Sequence, residues 1–131
     1  MEFNLKEGLE GERKYTVKEE HTAKFLGSGD VSVLSTPSMI MMMENAARLL
    51  VEEYLPEGYT TVGTRVEVSH LRAAPLGAEI TVKVKLIEVS GRKLRFTVEA
   101  YWNDKKIGEG QHERFIVNRE KFLKKVKEAI S

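Results

Sequence analysis

The sequence predicts an α+β fold in which a long antiparallel sheet curves around one buried helix, and three patterns predict it. A segment beginning at Thr36-Pro37 is apolar on nearly every side, with Met39, Ile40, Met41, Met42 and Met43 in succession. A helix of that kind is buried all round rather than lying on a surface. The segments that follow, residues 60–72, 79–89, 92–102 and 106–117, alternate apolar and polar residues with the period of half-buried strands. Those strands run one after another instead of alternating with helices, which is the order of an α+β domain rather than a βαβ repeat.

In chain order, a charged lead-in of about a dozen residues precedes a first strand at roughly 12–20, where Tyr15 and Val17 alternate with polar residues. KFLGSGDVSVLS, broken by glycine, predicts a flexible loop with a short extended piece at its end. The helix then opens at Thr36, whose hydroxyl can cap it, with Pro37 at the first helical position. It runs to about Tyr54, where Pro56 and Gly58 stop it, and its second half narrows to a stripe of Ala46, Ala47, Leu50 and Val51. Strict alternation in 60–72 puts Val62, Thr64, Val66, Val68 and His70 on one face, toward the helix. Ile80, Val82, Val84 and Leu86 share the inward face of the next strand, and Leu94, Phe96, Val98, Ala100 and Trp102 that of the one after. Ser90-Gly91 and Asn103-Asp104 are the hairpin turns. Asn118 caps a short terminal helix with Phe122, Val126 and Ile130 on one side.

The 131 residues suit one domain, 1–131, and 41% hydrophobic content suffices for a core. Charged residues make up 31%, but the net charge is +1, which gives no electrostatic reason to expect nucleic acid or a membrane surface as partner. There is no cysteine, so disulfides, thiolate metal sites and a cysteine nucleophile are excluded. With no apolar stretch of signal-peptide or membrane-spanning length, the sequence predicts a cytoplasmic protein. His21, His70 and His112 show no metal-ligand spacing, and neither a GxGxxG nor a P-loop is present, so no metal site and no cofactor are expected. Arg92, Lys93 and Arg95 read as a solvated strand face.

A few polar residues fall where burial is expected. Glu44 sits mid-helix among methionines, where an ionised carboxylate is costly unless paired. It is either a general base or nucleophile whose pKa burial raises, or the partner of Arg48 four residues on. His70 lies on the inward face at the end of its strand, as an acid, base or orienting donor, or as a core histidine bonded to a carbonyl. Thr36 is a helix cap or a hydroxyl beside a reacting carbonyl, with helix N-terminal amides nearby for an oxyanion. Gly63 interrupts a β-branched run, marking either a close backbone approach or simple sheet curvature.

Taken together, STPSMIMMMENAARLLVEEYL, TTVGTRVEVSHLRAAPLGAEITVKVKL and the later GEGQHERFIV resemble the hotdog-fold thioesterases related to fluoroacetyl-CoA thioesterase. The resemblance covers most of the chain after the lead-in, and it implies a hotdog fold and hydrolysis of an acyl-CoA thioester. It implies Thr36, Glu44 and His70 as catalytic residues and Gly63, Phe25 and Arg114 as substrate-binding ones, with no cofactor beyond the CoA of the substrate. It also implies a homodimer with the site at the subunit interface, which agrees with the tendency of exposed sheet edges to pair. The family's fluoroacetyl-specific enzyme has aromatic lid residues where this chain reads Gly27, Ser28, Gly29 and Asp30, so a short-chain acyl-CoA is the expected substrate. The alternatives are a non-catalytic acyl-CoA-binding hotdog domain and a hotdog hydratase or dehydratase.

Overall fold

The computed structural model describes residues 3–130. Strands β1 (Glu10–Thr16), β2 (Tyr59–His70), β3 (Glu79–Ser90), β4 (Lys93–Trp102) and β5 (Lys105–Asn118) form one antiparallel sheet in the order β1-β3-β4-β5-β2. Helix α1 (Ala23–Leu26) is a single turn, helix α2 (Thr36–Glu52) lies across the sheet, and helix α3 (Arg119–Ala129) follows β5. The core is the layer between α2 and the sheet: Met39, Met42, Met43, Ala46, Ala47 and Val51 pack on Ile80, Val82, Leu86, Leu94, Phe96, Val98 and Ile116. This is the expected hotdog arrangement, a curved sheet around one helix.

The helix can approach β5 closely because Gly108 faces it: a Cβ there would meet Met39 Sδ at 2.5 Å. At the far edge, Tyr15 of β1 donates its hydroxyl hydrogen to Asn45 Oδ1 on α2 at 2.7 Å, satisfying a half-buried polar residue of the helix. Among the described residues no helix is long and apolar enough to cross a membrane.

Most strand bounds agree with expectation, and the departures have physical causes. The first strand ends at Thr16, not near 20, because residues 19–21 turn into a short 3-10 helix that sends the chain away from the sheet edge. The glycine-broken loop holds the turn of α1, capped by Thr22 at its start and ended by Gly27 at φ +75°. Helix α2 is not buried all round: Met41 is exposed and Ile40 half-buried, since the sheet covers one side only. The β3–β4 turn is Gly91-Arg92, one residue later than expected, with Ser90 paired to Lys93. Lys93 pairs with Glu113 and Arg95 with Glu88, as befits a solvated face, while Arg92 lies over the Phe3 and Tyr59 rings. On α3 the apolar residues do line up, but Phe122, Leu123, Val126 and Ile130 are exposed.

The largest departure is in β2. Gly63 pairs with Arg114 and Arg65 with Glu113, so Thr64 is an extra residue bulged out of the ladder. A bulge reverses the alternation. Thr61 and Gly63 face α2 before it, and Val66, Val68 and His70 face the same way after it, opposite Ile116, Arg114, His112, Gly110 and Gly108 of β5. Val62 and Thr64 therefore do not share the face of His70, contrary to strict alternation.

Candidate active site

The polar residues of the inner face form two clusters, one at the start of α2 and one at its middle. The first surrounds the start of α2. Thr36 was expected to cap the helix, but Ser35 does so: its hydroxyl accepts from the Ser38 amide at 3.1 Å. Thr36 becomes the first helical residue and Pro37 the second, both tolerated where amides have no intrahelical partner. Relieved of capping, the Thr36 hydroxyl lies 2.8 Å from His70 Nδ1. His70 Nδ1 is held by Thr36, while Nε2 is buried without a partner that meets hydrogen-bond geometry. Burial holds the His70 pKa below its ordinary 6.5, with the Arg72 backbone opposing, so the neutral ring that can accept a proton dominates. The pair opens into a cavity of about 410 Å³ walled by Ala23, Val31, Val33, Leu34, Leu71 and Ala73.

The second cluster lies two helical turns on. Glu44 is less enclosed than the methionine run suggests, its side chain being 39% exposed. Its partner is not Arg48, which reaches Glu52 at 3.4 Å, but Arg114 of β5, whose Nη1 lies 3.7 Å from Glu44 Oε2. Arg114 is 5% exposed and tightly held: Nε donates to Thr61 Oγ1 at 2.7 Å and Nη2 to the Thr61 carbonyl at 2.9 Å. Burial lowers the Arg114 pKa and the Glu44 carboxylate opposes the shift. Gly63 completes the cluster, because its missing side chain is where Glu44 sits: a Cβ would lie 2.6 Å from Glu44 Oε2. Both readings of Gly63 apply: Glu44 approaches its backbone closely, and the bulge at Thr64 bends the strand beside it.

Within one chain the clusters stay apart. Eight residues of α2 separate Thr36 from Glu44, about 12 Å along the axis. Phe25 belongs to neither: on α1 it is 64% exposed and does not line the cavity beside Thr36. Sequence reasoning missed Thr61 and His112, which hold Arg114 from either side. The placement of His112 was available from strand parity, since it stands two residues from Arg114 on the same face. Among the described residues no group of three or more His, Asp or Glu side chains is placed to hold a metal ion.

Chemically, the first cluster offers a hydroxyl, a neutral imidazole and a cavity of mixed polar and apolar lining, with Ser28, Ser35 and Arg72 among its walls; the second offers a carboxylate, a fixed cation and a glycine backbone. Together they suit acyl transfer to water. Comparison with known proteins points the same way. The chain is 38% identical over 96 residues to the fluoroacetyl-CoA thioesterase of Streptantibioticus cattleyicolor, an alignment that covers 73% of this chain and 69% of the relative. Its fold superposes on the crystal structure of the fluoroacetyl-CoA thioesterase FlK with a TM-score of 0.89 at 30% identity, covering 95% of this chain and 97% of the other. A thioesterase superfamily member from Thermus thermophilus gives 0.84 at 31% identity, covering 95% and 94% of the two chains. A hot-dog-like protein from Thermanaerovibrio acidaminovorans gives 0.87 at 26% identity, covering 95% and 93%. Residues 17–120, which carry both clusters, match the family model described as FlK, fluoroacetyl-CoA-specific thioesterase, and the chain belongs to that family of hotdog thioesterases.

Proposed function

We propose that the protein is an acyl-CoA thioesterase that hydrolyses small acyl-CoA thioesters to the free acid and CoA, and that each active site is shared between two copies of the chain. The observation that carries the shared site is the separation of the clusters along a strand with a free edge. β2 is the last strand of the sheet, and Val66, although it faces inward, is 37% exposed. Antiparallel pairing of β2 with its copy about a two-fold axis through Glu67 sets Val66 opposite the partner's Val68 and, with the bulged Thr64 outside the ladder, Gly63 of one copy opposite the partner's His70. Directly opposed residues have Cα atoms about 5 Å apart. The Glu44–Arg114–Gly63 cluster of one copy then meets the Thr36–His70 cluster of the other, and Val66 is covered.

In that site the thioester carbonyl lies between the Gly63 backbone, Thr36 and His70. Glu44 takes a proton from water as it attacks the carbonyl carbon, or attacks first itself to give an anhydride that water opens. The C–O bond forms, the C–S bond breaks, and the thiolate leaves with a proton that His70 can relay. Arg114 keeps a positive charge beside the Glu44 carboxylate. The cavity of about 410 Å³ beside Thr36 lies next to the place where the acyl group would sit. The aromatic lid is absent from Gly27–Asp30, so fluoroacetyl-CoA has no privileged place among such substrates. No cofactor takes part, and a cytoplasmic location belongs to the same reading.

Subunit complementation tests it. Glu44→Gln and His70→Ala are each expected to remove most turnover in a thiol-trapping assay over a panel of acyl-CoAs. After unfolding and refolding of an equal mixture, about half the dimers are mixed, and each mixed dimer has one intact site, so roughly a quarter of wild-type activity returns. No recovery on mixing, with both variants folded and dimeric, would refute the shared site. Unchanged turnover in both single variants would refute the chemistry, and tight acyl-CoA binding without release of CoA would make the protein a binding domain.

A further inference from the structure

The ring of His112 is buried at 1% exposure and uses both nitrogens. Nδ1 lies 2.8 Å from the Arg65 carbonyl oxygen. A carbonyl only accepts, so Nδ1 carries the hydrogen and donates it. Nε2, left with its lone pair, lies 3.1 Å from Arg114 Nη1, which can only donate. The two contacts therefore fix one neutral tautomer. The Arg65 carbonyl that fixes it follows directly on the bulged Thr64. Stacking on Phe96 of β4, with ring centroids 6.2 Å apart, holds the plane of the ring.

The charged groups around this ring are Arg114 on its own strand, Glu44 from α2 and Glu113 beside it in sequence. Burial holds the His112 pKa below its ordinary value, the Arg65 carbonyl opposes that, and Arg114 adds to it. A proton on Nε2 would replace an accepted hydrogen bond by repulsion from the guanidinium.

Arg114 is thus gripped by Thr61 through Nε and Nη2 and by His112 through Nη1, and Nη1 is also the atom that faces Glu44. Thr61 alone leaves the guanidinium hinged on one side. We propose that His112 is a positioning residue whose neutral ring, locked between the Arg65 carbonyl and Arg114, holds Nη1 of Arg114 against Glu44. The inference rests on Glu44 and Arg114 belonging to the active site, as proposed above. His112 itself touches no reacting atom.

Two variants and one spectroscopic measurement test it. His112→Phe keeps the stacked ring on Phe96 but offers Arg114 nothing; His112→Gln supplies an amide that can donate to Arg65 and accept from Arg114. Expected is a fall of about tenfold to a hundredfold in kcat/KM for His112→Phe, mostly in kcat, and recovery of most of it in His112→Gln. A purely packing role would give the reverse order, since Phe preserves the stacking and Gln does not. Nitrogen NMR of the wild-type dimer is expected to show His112 as the neutral Nδ1–H tautomer at neutral pH, with slowly exchanging Arg114 guanidinium protons. Those protons should exchange faster in His112→Phe. A charged ring or the Nε2–H tautomer in the wild type, or full activity in His112→Phe, would overturn the proposal. Failure of the wild type to release CoA from any acyl-CoA would instead refute the thioesterase reading, and the NMR result would still decide whether His112 positions Arg114.

Discussion

Replacing Gly63 by alanine adds one methyl group at the point where Glu44 comes closest to the strand. The new Cβ would lie 2.6 Å from Glu44 Oε2, 3.3 Å from His112 Cε1 and 3.4 Å from Arg114 Nη1. Ordinary contact needs roughly 0.5–1 Å more than the first of these distances, and the other two leave the methyl no room to yield. The carboxylate must therefore move away by about that amount. A misplacement of about 1 Å typically costs a hundredfold in rate, which is about 2.7 kcal/mol of transition-state stabilisation. The fold should hardly register the change. The colliding atom is the far end of a half-exposed side chain, and the backbone of Gly63 is not among the glycines at positive φ, so stability should move by no more than about 1 kcal/mol. The assay is kcat/KM for acetyl-CoA hydrolysis beside thermal unfolding of the same preparation. Combining Gly63→Ala with Glu44→Gln should lose little beyond Glu44→Gln alone, because both act on one carboxylate. A kcat/KM within about twofold of wild type would show that the position of Glu44 against Gly63 does not matter, and the argument from close approach would fall.

Two further outcomes follow from the described geometry. Ser35→Ala removes the hydroxyl that caps α2 and should cost about 1 kcal/mol, seen as a lower midpoint in urea, whereas Thr36→Ala should spare stability and lower turnover. His70 and His112 both have pKa values held below the ordinary 6.5 in the folded chain, so the folded state binds fewer protons than the unfolded state in mild acid. Their contribution to stability is therefore complete above about pH 6.5 and is lost as pH falls toward their folded values. Denaturant titrations across that range should show the loss, and His112→Gln should make it smaller; a slope unchanged in that variant would count against a neutral buried His112.

How much of this was legible depends on the range of the interaction that decides it. The inward faces of β3 and β4 follow from unbroken alternation, because every second residue from Ile80 to Leu86 and from Leu94 to Ala100 is buried. The start of α2 was legible to within one residue, but Ser35 and Thr36 are adjacent cap formers and only the backbone decides between them: Ser35 is extended and Thr36 already helical. In β2 the sequence carries a single hint of irregularity, Gly63. Nothing local says that Thr64 is the extra residue, because the register is set by pairing with β5 nearly fifty residues away. The partner of Glu44 was misread for a similar reason. Helical spacing offers Arg48, but Arg48 has a carboxylate of its own at Glu52, and the guanidinium that reaches Glu44 arrives from the last strand. The family resemblance named Thr36, Glu44 and His70 together and implied a subunit interface, but it did not give the separation of the Thr36–His70 pair from Glu44 within one chain.

The bulge at Thr64 also makes β2 unusually tolerant of one kind of editing. Since Gly63 already pairs with Arg114 and Arg65 with Glu113, excising Thr64 closes the ladder without moving any other residue to a new partner or a new face. Elsewhere in a strand a one-residue deletion turns every later side chain inside out. Here it would iron a kink out of the sheet while keeping His70 indoors, so length variation at this spot can tune curvature, and with it the aim of the Arg65 carbonyl, independently of which residues face the helix.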